Sequence, residues 1–111
     1  MAIFMLNGMI TGRSAAVAGA DCLAIDYVEI QERGGGSSTR LSNVCAAPEV
    51  ASILKIGATG RFFFRDMGPT NRLLGIERAD GVQAFDLQDA TVSSLQKYVE
   101  HRSDGGPTGR A

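Results

Sequence analysis

"GATGRFFFRDMGPTNR", residues Gly57 to Arg72, sets three consecutive phenylalanines among three arginines, with a Gly-Pro pair ahead of the last of them. Side chains of an extended chain alternate between two faces, so Phe62 and Phe64 share one side, with Arg61, Phe63, Arg65 and Met67 on the other. Aromatic enrichment bounded by Gly and Pro reads as a strand over Arg61–Met67, and "GPT" with its neighbours separates it from a second strand over Arg72–Arg78. If Phe62 and Phe64 point into a core, two readings of Phe63 remain. In one, Phe63 is exposed between Arg61 and Arg65, and this line, extended by Arg72 and Arg78, stacks bases and holds phosphates. In the other, Phe63 is covered by a helix and the arginines form a solvated rim whose stems shield apolar surface. The second is favoured, because only 6% of residues are aromatic and the pI of 5.7 is acidic.

Upstream, "APEVASILKIG" carries Pro48 at a first helical position, with Val50, Ile53 and Leu54 at helical spacing and Gly57 at the C-cap, predicting a helix of about two turns. "STRLSNVCA" and "CLAIDYVEIQER" read as strands joined through "GGGSS", residues Gly34 to Ser38, as a hairpin. The second of these begins its apolar set on Leu23, Ile25 and Tyr27 and shifts to Val28 and Ile30, predicting a bulge or a change of packing face midway. "IFMLNGMITGR" places Phe4, Leu6 and Ile10 on one face and Met5 and Met9 on the other, a period of two that predicts a strand bent at Gly8 and Gly12. "SAAVAGAD" reads as a loop.

Downstream, "ADGVQAF" predicts a turn with a short extension. "DLQDATVSSLQKYVEHR" repeats Val92, Leu95, Tyr98 and Val99 at three and four residues, an amphipathic helix offering those four side chains to the domain or to a partner. Residues 103–111 hold no large apolar side chain and read as a disordered tail beyond a single domain over 1–102.

Three strands, a short helix, two strands and a terminal helix define a mainly β fold with two helices (α+β). The order resembles a small five-stranded OB-type barrel, with the short helix between strands three and four and an amphipathic C-terminal helix. An SH3-like barrel, or a sheet with two helices packed on it, is the alternative.

At 111 residues, 44% hydrophobic and 21% charged, the chain has the composition of one globular domain. A net charge of -1 supplies no global field toward polyanions or acidic membranes, so nucleic-acid affinity requires a local patch. No apolar run nears the ~18 residues of a membrane span. Cys22 and Cys45 lie in apolar settings and read as buried reduced thiols, with a disulfide open on parity alone. Together with an N-terminus lacking a basic n-region and a small-residue cleavage site, they predict a cytoplasmic protein.

Catalytic signatures are sparse. "GGGSS" lacks the spacing and lysine of a P-loop, and "GATG" leads into a strand where a KH-type clamp joins two helices. The lone histidine, His101, falls at the end of the last predicted helix, where the macrodipole favours it without catalysis. The acidic residues form no metal-ligand or paired-carboxylate pattern, and Asp26 reads as outward-facing on a half-exposed strand. The expectation is a non-enzymatic interaction module without cofactor or metal, acting through a protein partner or a homodimer. Single-stranded nucleic-acid binding through Arg61, Phe63, Arg65, Arg72 and Arg78 is the alternative.

Overall fold

The computed structural model describes residues 3–19, 22–89 and 92. In chain order these form β1 (Ile3–Arg13), β2 (Ala16–Ala18), β3 (Leu23–Glu32), β4 (Ser38–Ala46), α1 (Pro48–Ala51), β5 (Thr59–Asp66), β6 (Asn71–Arg78) and β7 (Gln83–Phe85). The protein is mainly β, and its single sheet curls into a ring. Strand β1 pairs with β5, β5 with β6, β6 with β4, β4 with β3, and β3 returns to β1. All of these pairings are antiparallel except β4 with β6, where Val44, Cys45 and Ala46 face Asn71, Arg72 and Leu73 in parallel. Strand β2 continues the line of β1 along β3, and β7 adds to β6.

The ring closes because one face of every long strand is apolar. Ile10, Ile25, Val28, Ile30, Val44, Phe62, Phe64, Leu73 and Ile76 are buried together inside it, with Phe4 and Leu6 packed against them. Val50 and Leu54, at the helix and just beyond it, join the same cluster. The two faces read from "IFMLNGMITGR" are those observed, since Phe4, Leu6 and Ile10 join the inner cluster, Met5 packs on the other side and Met9 is exposed.

The change of face expected in β3 falls at Asp26 and Tyr27. Ile25 and Val28 are both buried although they differ in parity. Opposite Asp26, Asn43 takes a positive φ of 54°. The Asp26 N–H donates to Ser14 Oγ at 2.7 Å, so a side chain satisfies a strand donor where the pleat is interrupted. A second irregularity separates Phe63 from Phe64 in the pairing of β5 with β6. It leaves Leu74 as an extra residue beside Gly75 on the outer face, so that Leu73 and Ile76, three residues apart, both point into the ring while Leu74 is buried outside it. Where β5 begins, Gly60 sits at φ 151° and a Cβ there would lie 2.2 Å from Glu77 O, so only glycine allows β5 and β6 to approach this closely.

Three differences from the sequence expectation have local causes. "SAAVAGAD" contains β2, whose three pairs with β3 supply the order that its small residues do not announce. The helix is one turn long, because Ile53 N and Leu54 N bond to Val50 O and Ala51 O three residues back and tighten the chain out of α geometry. "QAF" is a strand of three residues, too short for periodicity to distinguish from a turn extension. The predicted terminal helix beyond Val92, with Leu95, Tyr98, Val99 and His101, and the tail over 103–111 lie outside the described residues. Among the described residues no helix is long and apolar enough to cross a membrane.

Candidate functional site

The Arg61-Phe63-Arg65 line lies on the outer face of β5, as alternation requires, but it is not an open stripe. Phe63 is 1% exposed. It belongs to a second apolar cluster outside the ring with Leu74, Phe85 and Val92, against which Met5 packs. The Phe63 and Phe85 rings lie 6.2 Å apart between centroids. Phe85 is seated on Gly75, the cross-strand partner of Phe63, where an added Cβ would come within 2.3 Å of the ring. The exposed-aromatic reading is therefore corrected: the cover comes from β7 and from Val92, and no base can stack on Phe63 while they remain in place.

Of the four arginines expected around Phe63, Arg61, Arg65 and Arg72 lie on its side of the sheet, whereas Arg78, paired with Gly60, lies on the other; each faces a carboxylate. Arg61 pairs with Glu77 across β5 and β6. Arg65 reaches Asp89 at 2.8 Å. Arg72 donates from Nε to Asp86 Oδ2 at 2.9 Å and from Nη2 to the same oxygen, and its Nε also lies 3.3 Å from Asp89 Oδ2. Asp86 is fully buried, and its Oδ1 accepts the Gln88 N–H at 3.1 Å. Arg65, Asp89, Arg72 and Asp86 thus form one alternating network at the start of β6. Both carboxylates come from "FDLQD", a segment whose acidic residues look scattered until the fold returns it to β6. A cavity of about 470 Å³ opens beside Arg72 and Asp86, with Pro48, Glu49 and Gln88 on its walls. Among the described residues no three His, Cys, Asp or Glu side chains are grouped to hold a metal ion.

Arg78 bonds Asp80 two residues on, at 3.2 Å from Nε to Oδ1. That hydrogen bond, reinforced by the Val82 N–H, holds the Asp80 carboxyl below its ordinary pKa. A depressed folded-state value stabilises the fold above the unfolded-state pKa, and this contribution is lost as pH falls through the lowered value. Asp80 is fully exposed, so the effect on overall stability is small. Carboxyl NMR titration should give Asp80 a midpoint below that of an unfolded peptide control, and Arg78→Gln should raise it; a midpoint unmoved by the substitution would remove Arg78 as the cause.

On the opposite side of the ring, the outer face of β3 and β4 presents Tyr27, with Arg40 placed over its ring at 4.0 Å from the centroid. The hairpin register sets them diagonally, since Tyr27 faces Ser42 and Glu29 faces Arg40. Gln31 and Ser38 continue this face, and Thr11 of β1 donates to Glu29 at its margin. Asp26 is exposed, as expected. Sequence reasoning missed the Tyr27–Arg40 pair, although extending the hairpin register back from "GGGSS" places the two residues on neighbouring strands.

The cysteines are corrected as well. Cys22 and Cys45 form a disulfide tying the residue before β3 to β4, so they are not reduced thiols, and the argument they lent to a cytoplasmic location falls. No protein-family model, curated protein or solved structure matches this chain.

Proposed function

We propose that the protein is a non-enzymatic binding module of OB-like architecture that holds single-stranded nucleic acid on the outer face of β3 and β4. The observation that carries this reading is the order of the ring. Counting only its five long strands, the neighbours run one, two, three, five, four and back to one. The single parallel contact lies between the third and fifth, and α1 falls between the third and fourth. That arrangement supports the five-stranded Greek-key barrel, whose second and third strands form the usual ligand face. In this chain those strands are β3 and β4.

Tyr27 and Arg40 occupy the centre of that face. A base stacks on the guanidinium plane of Arg40 or replaces it on the Tyr27 ring, while Arg40 faces a phosphate. Arg40 faces Glu29 across the strand pair, so affinity rests on stacking more than on charge, in keeping with the acidic chain. Labelled single-stranded oligonucleotide followed by fluorescence anisotropy should show saturable binding that weakens with salt. Tyr27→Ala should cost ~1 to 3 kcal/mol of binding, the range for one stacked base. Arg40→Ala should flatten the salt slope by about 0.7, the value for one phosphate contact on a single strand. Absence of binding in low salt would end this reading.

A protein partner or second copy is the other reading, and strand β2 favours it. Ala16, Val17 and Ala18 carry no charge or proline, the devices that usually blunt a sheet edge, and Val17 is 64% exposed. Such an edge accepts an added strand. A rise in mass with concentration by light scattering, abolished by Val17→Lys, would favour self-association through β2.

A further inference from the structure

The two sulfurs of the Cys22–Cys45 bond have different surroundings. Cys45 and Arg72 are cross-strand partners in the parallel pairing of β4 with β6. The register brings Arg72 Nη1 to 3.6 Å from Cys45 Sγ. Arg72 turns Nε and Nη2 toward Asp86, and Asp89 also faces Nε, so the guanidinium is fixed with its Nη1 edge on the sulfur. These carboxylates temper the charge of Arg72 but do not take the Nη1 hydrogen that points at Cys45. Cys22 follows Asp21 in the chain, whose charge disfavours a neighbouring thiolate, and no cation contacts Cys22 among the described residues. Both cysteines are half-buried.

We propose that this disulfide is polarised for exchange: Cys22 Sγ accepts an external low-molecular-weight thiolate, and Cys45 is the leaving sulfur, held as a thiolate by Arg72. Exchange is faster when the departing sulfur has the lower pKa, and a guanidinium beside a thiol lowers it. The incoming thiolate forms a new S–S bond with Cys22 as the Cys22–Cys45 bond breaks, and that bonding pair leaves on Cys45. One disulfide replaces another, with no net redox change. A second external thiolate then attacks the external sulfur of the mixed disulfide and expels Cys22 as a thiolate. Two external thiols are thereby oxidised to their disulfide and the protein bond is reduced. Cys22 is therefore a site of reversible S-thiolation. Modification there removes the covalent tie between the residue before β3 and β4 at one end of the Tyr27 face, while Cys45 stays beside the Arg72–Asp86 network.

The test uses the intact oxidised chain under native conditions. The protein is incubated with glutathione, free thiols are trapped with excess N-ethylmaleimide before the bond can close again, and peptide mass spectrometry locates each adduct. The expected result is glutathione on Cys22 and maleimide on Cys45, in several-fold excess over the reverse. An equal division, or a majority of glutathione on Cys45, overturns the proposal. Thiolate absorbance against pH in the single-cysteine variants adds a second readout. Cys45 in Cys22→Ser should titrate at lower pH than Cys22 in Cys45→Ser, and the opposite order would also overturn it. If either variant fails to fold, the adduct map on the intact chain decides the question alone.

Discussion

Phe63→Ala is expected to lower the stability of the fold by ~3 to 5 kcal/mol, the range for emptying a buried phenylalanine site. The side chain is 1% exposed and lies between Leu74, Phe85 and Val92 on the outside of the ring. Its neighbours have little freedom to fill the space. Phe85 rests directly on Gly75, and Leu74 occupies the extra position of the bulge between β5 and β6. Collapse would require β7 to shift on β6, to which it is joined by only three residue pairs. Urea unfolding followed by far-ultraviolet circular dichroism measures the loss as a lower midpoint at unchanged slope. Phe63→Leu, which keeps most of the volume, should recover a large part of it. The same variants separate the cluster from the nucleic-acid face: Phe63→Leu should leave oligonucleotide binding unchanged, whereas Tyr27→Ala should weaken it at unchanged unfolding midpoint. A folded Phe63→Ala protein of normal midpoint would mean that β7 and Val92 do not cover this ring in solution.

The long strands were legible because most of their length carries a signal of period two and glycine or proline marks many of their ends. "RFFFRD" and the two faces of "IFMLNGMITGR" needed no partner to be recognised. The change of face in "LAIDYVEI" was legible too, as a jump in the apolar set between Ile25 and Val28, although its cause, the Ser14 hydroxyl taking the Asp26 N–H, lies outside that stretch. What escaped depends on contacts between segments distant in sequence. Whether Phe63 is exposed is settled by Phe85, in a strand of three residues. Cys22 and Cys45 are 23 residues apart, a spacing compatible with free thiols until the β3–β4 hairpin sets Leu23 opposite Ala46 and Ala24 opposite Cys45. The arginines of β5 and β6 read as a cationic surface because the carboxylates that meet Arg65 and Arg72 belong to another segment and the one that meets Arg61 lies on the neighbouring strand. Composition hinted at this neutralisation, with 11 basic against 12 acidic residues, but not at which of them meet.

Asp86→Asn should show how much of the fold depends on that meeting. Asp86 is fully buried, so its charge is tolerated only because Arg72 donates to it and the Gln88 N–H binds its other oxygen. Asparagine keeps the volume and the bond from Gln88, but it turns an ion pair into a guanidinium beside a neutral amide, with the Asp89 carboxylate still facing Arg72. Breaking a buried pair from one side costs ~3 to 5 kcal/mol, and the lower end applies because Arg72 keeps 17% exposure and a second carboxylate. The double variant Arg72→Met with Asp86→Leu removes both charges and replaces them with apolar volume. It should be more stable than Asp86→Asn, since the penalty lies in the unpaired charge more than in the missing attraction. Denaturant midpoints of the unaltered protein, Arg72→Met, Asp86→Leu and the double variant measure the coupling. A near-zero loss for Asp86→Asn would mean that Asp89 alone neutralises Arg72. In that case the guanidinium would be less firmly held by Asp86 than the geometry indicates, and its grip on Cys45 would depend on Asp89 and Arg65 instead.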